Sequence, residues 1–256
     1  MPAKTIAVAG KGGVGKTTIC GMIVDYLVRK QKSPILVVDA DANSNLNEVL
    51  GIEPNVTLGE IREELAHAEK NGDPIPGGMT KADYADFRFS DALAEEDDFD
   101  MLIMGRTQGQ GCYCFVNGLL QTQLQKYYKN YRYTVIDNEA GMEHIARGIL
   151  PHIDVLFLVS DCSRRGIMTV GRIAEMVKEL DLKPGCMKLI VNRAPGGELN
   201  AGVLDEIEKQ GLELAGVLPH DEDVYNADCN GEPSSKISEN SSIKQALNEI
   251  LNGMNI

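Results

Sequence analysis

A glycine-rich stretch near the start of the chain, AGKGGVGKTT at residues 9–18, has the residue types and spacing to bind phosphate. It lies between an apolar run, Thr5–Ala9, which we expect to be a strand, and a helical pattern that begins at Lys16. Glycines let successive N–H groups surround an anion, and a helix N-terminus adds a positive dipole end there. In the pattern G-x-x-x-x-G-K-[ST], Lys16 reaches the β- and γ-phosphates, and the Thr17 hydroxyl coordinates Mg²⁺. The expected nucleotide-binding residues of the loop are Gly12, Gly13, Val14, Gly15, Lys16, Thr17 and Thr18, with Thr18 at the phosphate nearest the ribose.

The same glycines also satisfy a dinucleotide-binding pattern. Gly10, Gly12 and Gly15 match G-x-G-x-x-G, and Asp39 closes a second predicted strand. A pyrophosphate bridge needs neither an ammonium group nor a Mg²⁺ ligand at the start of the helix, whereas a triphosphate uses both. The pair Lys16-Thr17 therefore favours a nucleoside triphosphate.

A second lysine, Lys11, occupies the first variable position of the loop, where an ordinary phosphate-binding loop has no requirement for a cation. The run KGGVGKT at residues 11–17 resembles the deviant Walker A loop of the MinD/ParA class of ATPases, which includes the arsenite-transport ATPase and the nitrogenase iron protein. The resemblance implies a homodimer that encloses two nucleotides, with Lys11 crossing the interface to the phosphates of the other copy. The alternative for Lys11 is a solvated loop cation.

Two aspartates, Asp39 and Asp41, follow the predicted strand Ile35–Val38. Carboxyl ends of parallel strands line the ligand crevice, so both carboxylates are expected near Mg²⁺ and an attacking water. By resemblance to the MinD class, Asp39 helps to hold a Mg²⁺-bound water, and Asp41 orients or deprotonates the attacking water. The alternative is that one of them caps the following helix.

Cys112 and Cys114 form a C-x-C pair in the stretch GRTQGQGCYC at residues 105–114. Two thiolates fill half the coordination shell of a soft metal ion, and a twofold axis would supply the same pair from a second copy. Four sulfurs suit Zn²⁺ in a tetrahedron, whereas a planar arrangement suits Ni²⁺. The predicted helix that follows favours thiolate formation at its N-terminus. Two incidental thiols near a helix start are the alternative.

The combination of MGR at residues 104–106 with GCYC at residues 111–114 resembles the nickel-insertion accessory ATPases of carbon monoxide dehydrogenase and acetyl-CoA synthase, the CooC/AcsF group. These are MinD-class proteins in which this pair binds nickel or zinc at the dimer interface. The resemblance implies a nickel metalloenzyme of that kind as the client.

The predicted strand YTVID at residues 133–137 ends in Asp137, which we expect to hold Mg²⁺ through water as the Walker B aspartate. In the string DNEAGMEH that starts there, Gly141 is the expected sensor of the γ-phosphate, because its N–H can draw the segment inward only when that phosphate is present. The string also resembles the nickel-insertion group, but it departs from the D-x-x-G of other relatives in carrying Glu139. Glu139, Glu143 and His144 can assist catalysis or metal transfer, or can form surface salt bridges.

The adenine contacts are expected at the ends of two later strands. The amide of Asn192 can donate and accept hydrogen bonds, and Asn at this strand end resembles the base contact of the family. Arg193 follows it directly, and by the same resemblance Pro219 borders the base.

Composition limits the partners. The chain has 38 acidic and 25 basic residues and a net charge of -13, which argues against nucleic acid as a general partner. It contains no apolar run of about 18 residues and no secretory leader, so we expect a cytoplasmic protein that does not bind membranes. The predicted terminal helix, Ser242–Ile256, has one lysine and lacks the basic face that binds anionic lipid. Cys20 and Cys162 are expected to be structural, Cys186 begins a strand, and Cys229 is unassigned.

The motifs occur in the order of the family that they resemble, and this resemblance implies an α/β fold: an open, mostly parallel, doubly wound sheet flanked by helices, in a single P-loop ATPase domain over residues 1–256. Further strands are expected at Met101–Met104, Ile153–Ser160 and Cys186–Val191, with one more closing near His220. Helices are expected at Lys16–Lys30, at 45–70 with a break near Gly51 and Pro54, at Phe115–Tyr128, and at Arg165–Leu180. The acidic stretch Asp83–Asp100 is interpreted as solvated surface.

The motifs together predict a Mg²⁺-dependent ATPase that binds ATP and ADP, dimerises around nucleotide, binds Ni²⁺ or Zn²⁺ through Cys112 and Cys114, and delivers nickel to a metalloenzyme. One alternative is an ATP-dependent electron donor similar to the nitrogenase iron protein, with a [4Fe-4S] cluster between two copies. Another is a spatial-positioning ATPase similar to MinD and ParA.

Overall fold

A computed structural model describes residues 4–41, 45–71, 76–105, 122, 124–138 and 152–256. The strands in these ranges form one sheet. They are β1 (Lys4–Gly10), β2 (Ile35–Ala40), β3 (Ala94–Glu95), β4 (Asp100–Ile103), β5 (Tyr133–Asn138), β6 (Val155–Asp161), β7 (Cys186–Ala194) and β8 (Leu214–Pro219).

The sheet has the order β3-β4-β2-β5-β1-β6-β7-β8. All neighbouring strands are parallel except the short β3, which pairs antiparallel with β4. In the register between β2 and β5, Asp39 lies opposite Asp137. On the other side of β5, Val8 of β1 lies opposite Asp137. The carboxyl ends of β1, β2 and β5 therefore meet at one edge of the sheet.

The helices pack on both faces of the sheet. Those described are α1 (Lys16–Arg29), α2 (Leu46–Leu50), α3 (Leu58–Asn71), α4 (Lys81–Ala92), α5 (Arg164–Glu179), α6 (Ala201–Lys209), α7 (Glu222–Asn230) and α8 (Ser242–Gly253), and residues 124–128 are also helical. One core contains buried residues of α1, α2 and α8, and the opposite core contains those of α3, α4, α5 and α6.

Alternate residues of the central strand enter the two cores. Ile6 and Val8 belong to the core under α1, whereas Ala7 and Ala9 belong to the opposite core. Strands covered on both faces bury every side chain, which explains why they appear in the sequence as unbroken apolar runs. The predicted doubly wound, mostly parallel α/β fold is confirmed.

Several expected boundaries change by a few residues. Met104 lies just beyond β4, and β7 continues through Asn192 and Arg193 to Ala194. The expected break in the segment 45–70 is present between α2 and α3. The larger difference is α4, a helix where the sequence indicated only charged surface.

Among the described residues, none of the helices combines the length and apolar composition that a membrane crossing requires.

Candidate nucleotide-binding site

The glycine-rich loop connects the end of β1 to the start of α1, as its sequence predicts. Gly13 and Gly15 have φ values of 78° and 92°, a left-handed backbone that side chains rarely adopt. A Cβ atom on Gly15 would also lie 2.6 Å from the Asn192 amide nitrogen, so this position has no room for a side chain. Lys16, the first residue of α1, is 7% exposed. The loop thus places a buried cation at a helix N-terminus.

Asp39 is fully buried and organises the segment after β2. Its Oδ1 accepts a hydrogen bond from the Asp41 N–H at 3.0 Å, and its Oδ2 accepts one from the Leu46 N–H at 3.0 Å. Burial raises the pKa of Asp39 to about 6, although these two bonds oppose the shift. Leu46 begins α2, so the helix-capping contact that the sequence left open for one of the two aspartates is made by Asp39.

Asp137 has no such partners. It is 1% exposed, and the Thr17 hydroxyl is near enough to favour its charged form, but neither carboxylate oxygen has a hydrogen bond of normal geometry among the described residues. Burial raises its pKa to about 7, and Asp39 adds to the shift, while the Thr17 hydroxyl and Lys16 favour the charged form. A buried carboxylate without a partner is costly, and a cation is the chemical group that would relieve it. Carboxylate and hydroxyl oxygens are the ligands that Mg²⁺ prefers, so Asp137 and Thr17 fit this ion.

A cavity of about 410 Å³ opens in front of the loop. Gly12, Gly13, Gly15, Lys16, Thr17 and Thr18 line one side of it. The other side carries Asp41, Asn45 and Glu48, next to Arg193 and residues at the end of α7. A larger groove of about 580 Å³ between α3 and α4 is lined mainly by acidic side chains and has no phosphate-binding loop. The nucleotide therefore fits the cavity at the loop.

The residues expected at the base lie close to the loop. Asn192 is 3% exposed, and its Nδ2 donates a hydrogen bond to the Val14 carbonyl at 2.9 Å. The Arg193 guanidinium donates to the Gly13 carbonyl at 3.1 Å. Pro219 ends β8 and pairs with Ala194, one residue beyond Arg193. The structure thus brings Asn192 and Arg193 against the phosphate loop, and their adenine contacts stay a prediction.

Several predicted residues lie outside the described part of the chain: Cys112, Cys114, Glu139, Gly141, Glu143 and His144. The cysteines that are described are free thiols. Cys20 is buried in α1, where burial first and then Asp137 and Asp39 raise the pKa of its thiol well above the usual value, as suits a core residue. Cys229 is exposed, and the described residues contain no group of three or more His, Cys, Asp or Glu side chains arranged to hold a metal ion. Lys11 is exposed on the loop.

Comparison with known proteins identifies the family. The model of the CobQ/CobB/MinD/ParA nucleotide binding domain, CbiA, matches residues 5–234. The chain belongs to this family. Membership agrees with the arrangement of the loop, Lys16 and Asp137 at the carboxyl edge of a parallel sheet.

Individual members of the CbiA/MinD/ParA family show how far the similarity extends. An uncharacterised ATP-binding protein of Methanocaldococcus jannaschii is 40% identical over 247 residues, which cover 96% of each chain. The carbon monoxide dehydrogenase accessory protein CooC of Rhodospirillum rubrum is 29% identical, with 88% of this chain and 87% of CooC covered. The septum site-determining protein MinD of Pyrococcus horikoshii, solved with Mg-ADP, has a TM-score of 0.68 at 20% identity and covers 99% of this chain and 96% of its own. The last similarity shows the shared fold.

The sequence interpretation missed one wall of the cavity in this CbiA/MinD/ParA fold. Asn45 and Glu48 come from the start of α2, and Asp228 and Glu232 come from the end of α7 and the turn after it. Both helices follow the carboxyl ends of strands, β2 and β8. The rule that strand ends surround the ligand would have indicated these segments, had it been applied beyond the motif residues.

Proposed function

We propose that this member of the CbiA/MinD/ParA family is a Mg²⁺-dependent ATPase, in one domain spanning residues 1–256, that dimerises around nucleotide and delivers nickel to a metalloenzyme. Nickel is its cargo, and zinc is the other ion that the same cysteine pair would bind. The client would be an enzyme of the carbon monoxide dehydrogenase or acetyl-CoA synthase type.

The buried, unpartnered carboxylate of Asp137 carries the ATPase part of the proposal. Beside Lys16 and Thr17, it leaves a negative charge at the position where a phosphate-bound cation would balance it. We assign Thr17, Asp39 and Asp137 to Mg²⁺, with Asp39 acting through water because backbone N–H groups already bond to both of its oxygens. Mg²⁺, when bound, neutralises charge on the β- and γ-phosphates. A MinD protein of the same fold has been solved with Mg-ADP, which supports this assignment.

The proposed reaction is phosphoryl transfer from ATP to water. Lys16 and the N–H groups of the loop bind the phosphate oxygens and stabilise the charge that develops on them. Lys11 of a second copy adds a cation from the other side, and its exposure on the loop is consistent with that reach. Asp41 lines the cavity and orients the attacking water. Gly141 senses the γ-phosphate, and Arg193 and Pro219, with Asn192 behind them, border the base.

The nickel part rests on sequence and on similarity. Cys112 and Cys114 supply two soft ligands, and two copies of the chain would supply the four that a closed site needs. CooC, a carbon monoxide dehydrogenase accessory protein, is 29% identical to this chain over most of its length. Free thiols suit a reducing compartment, and we propose that the protein works in the cytoplasm.

A spatial-positioning ATPase is the second candidate, because the MinD fold serves that role in other proteins. A membrane-targeting helix of the kind that binds anionic lipid needs a free apolar face beside basic side chains. Here Ile243, Leu247 and Leu251 of α8 are buried in the core. The single lysine of α8, Lys244, is 1% exposed and bonds to Asp25 at 2.5 Å. This packing argues against α8 as a membrane-binding helix.

Metal analysis of matched variants tests the proposal. Wild type, Cys112→Ser/Cys114→Ser and the control Cys186→Ser/Cys229→Ser, which changes two free thiols away from the phosphate loop, are purified without oxygen and loaded with nickel or zinc. Each is then analysed for metal and sedimented with no nucleotide, ADP and a non-hydrolysable ATP analogue. We expect wild type and the control to bind one nickel or zinc ion per two chains and to dimerise with the ATP analogue. The Cys112→Ser/Cys114→Ser variant should lose the metal ion.

Other outcomes distinguish the alternatives. Equal metal affinity in all three proteins would contradict the cysteine site. A brown anaerobic preparation whose visible absorption bleaches with dithionite would indicate an iron-sulfur electron donor. Sedimentation with anionic vesicles or DNA in ATP, without a metal requirement, would support the positioning ATPase.

A further inference from the structure

Three successive carbonyl groups of the phosphate loop, those of Gly13, Val14 and Gly15, accept hydrogen bonds within the protein. The Val14 carbonyl accepts from the Asn192 side-chain amide at 2.9 Å, and the Gly13 carbonyl accepts from the Arg193 guanidinium at 3.1 Å. The next carbonyl, of Gly15, accepts from the Ile19 N–H at 3.0 Å within α1. Three successive carbonyls are thus fixed, two of them by side chains from the end of β7.

Fixing a carbonyl also fixes the N–H of the next residue. In a planar trans peptide the C=O and N–H bonds point in opposite directions. Holding the Val14 carbonyl therefore directs the Gly15 N–H away from Asn192. In the same way, holding the Gly13 carbonyl directs the Val14 N–H away from the Arg193 guanidinium. These are N–H groups of the loop that would bind phosphate.

Each polar atom of the Asn192 side chain makes a hydrogen bond within the protein. Its Oδ1 accepts a hydrogen bond from the Arg193 N–H at 2.9 Å, while its Nδ2 donates to the Val14 carbonyl. The residue is 3% exposed, and Gly15 packs so closely on it that a Cβ atom there would clash. In the register of the sheet Asn192 lies opposite Asp161 of β6, so its backbone is held by the neighbouring strand.

Arg193 is held in an unusual backbone conformation. Its φ of 58° is in the left-handed region, which costs free energy for a residue with a side chain. The Asn192 side chain bonds to its N–H, and the Cys162 thiol donates to its carbonyl at 3.6 Å. These contacts stabilise the turn that brings the guanidinium to Gly13.

We infer that Asn192 and Arg193, besides bordering the base, act as a positioning pair that holds the phosphate loop in its binding conformation. The inference rests on the proposed nucleotide-binding function and adds a second role for these two residues. It implies that the pair acts on the triphosphate, which all nucleoside triphosphates share. Removing the pair should therefore weaken the binding of a triphosphate that has no base.

Binding of three probes to matched variants tests the inference: Mg-ATP, Mg-GTP and magnesium tripolyphosphate, measured by calorimetry. Asn192→Asp keeps the acceptor for the Arg193 N–H but loses the donor to Val14. We expect all three dissociation constants to rise by about tenfold or more, including that of tripolyphosphate, which has no base. Arg193→Gly tolerates the left-handed backbone but lacks the guanidinium, and we expect all three to rise by about threefold.

The control is Asn200→Ala, which removes the N-cap of α6, where Asn200 Oδ1 accepts from the Val203 N–H. This variant should lower the midpoint temperature of thermal unfolding without changing any of the three affinities. The comparison thus separates loop positioning from a general loss of stability. If Asn192→Asp does not fold, Arg193→Gly decides the question, because Arg193 is exposed.

Two results would overturn the inference. One is weaker binding of ATP with unchanged binding of tripolyphosphate, which would show that Asn192 acts on the base alone. The other is unchanged affinity for all three probes in both variants. Wild type that binds none of the probes would instead refute nucleotide binding itself, and the positioning role with it.

Discussion

Asp39 and Asp137 lie side by side on neighbouring strands, yet their surroundings differ. Asp39 receives backbone hydrogen bonds at both oxygens, and Asp137 receives none from the described residues. The pKa of Asp137 is accordingly raised further, to about 7 against about 6. Native proteins tolerate such a cost at functional sites, where a ligand supplies the missing partner. Asp137, which has fewer hydrogen bonds than Asp39, is therefore the residue that we expect to depend more on a bound cation.

Replacing Asp137 by Asn should separate stability from ligand binding. At about pH 8, Asp137 in the nucleotide-free protein is a buried charge, and its replacement by a neutral amide should raise the free energy of unfolding by about 1–2 kcal/mol. The wild type should gain about 2.7 kcal/mol from Mg-ATP at about 100 times its Kd, and the variant should gain far less. Urea unfolding with EDTA and with Mg-ATP measures both effects.

The exposed carboxylate of Asp205 on α6 provides the control for this experiment. Asp205→Asn changes the net charge equally and should leave the Mg-ATP effect at its wild-type size. Full stabilisation of Asp137→Asn by Mg-ATP would remove Asp137 from the proposed Mg²⁺ site.

At the scale of residues, the sequence predicted which side chains meet but not what they bond to. The carboxyl-end rule placed Asp39, Asp137 and the glycine loop at one edge, because strand direction alone determines it. The bonding of Asn192 depends on its rotamer and on how closely Gly15 approaches, which arise from packing between segments distant in the sequence. A motif gives the type of residue, and the fold decides which of its atoms remain available.

At the scale of elements, α4 is a helix that the sequence interpretation missed within a stretch that it correctly expected to be charged surface. Ala85, Phe89 and Ala92 are buried at helical spacing, while acidic side chains occupy the outer face. Thr80 caps the helix by accepting from the Asp83 N–H at 3.1 Å, and Phe89 packs on Tyr127 at a ring distance of 4.8 Å. Charged residues dominate the composition of this segment, but the apolar stripe of Ala85, Phe89 and Ala92 packs on the core and stabilises the helix.

Asp221 links two elements of the site. Its Oδ1 accepts from the Asp223 N–H as the N-cap of α7, and its Oδ2 accepts from the Ser242 hydroxyl at 2.7 Å and the Ile243 N–H at 3.2 Å at the start of α8. Burial raises the pKa of Asp221, but these hydrogen bonds outweigh burial and hold the pKa below its usual value of 3.8. Because α7 forms part of the cavity wall, this carboxylate also supports the site.

Asp221→Asn keeps one acceptor and loses the other, so we expect a loss of about 1 kcal/mol in the free energy of unfolding near neutral pH. A carboxyl whose pKa is lower in the folded than in the unfolded state stabilises the fold above the unfolded pKa. The difference between wild type and variant should thus be constant from about pH 5 to 8 and shrink as the pH falls below about 4. Urea unfolding across this range measures it, and a difference that grows towards low pH would contradict the lowered pKa.

At the scale of the whole molecule, the net charge of -13 opposes association of two copies. Salt screens charges beyond about 8 Å at physiological ionic strength, so the repulsion weakens in the cell but does not become an attraction. A nucleotide-dependent dimer therefore needs local contacts that form only when phosphate is present. Lys11, exposed on the loop, is the residue to which we assign that contact.

Lys11→Gln and Lys209→Gln remove the same charge at different places. Lys11 is on the phosphate loop, whereas Lys209 is exposed on α6, which packs on the opposite face of the sheet from α1. If Lys11 contacts the phosphates of a second copy, Lys11→Gln should bind Mg-ATP within about threefold of wild type, fail to dimerise, and lose turnover by about a thousandfold, the size of effect known for cations supplied to a phosphoryl group by a partner. Lys209→Gln should dimerise and turn over like wild type. Because both variants have the same net charge, equal behaviour of the two in sedimentation and phosphate release would contradict a contact between Lys11 and the phosphates of a second copy.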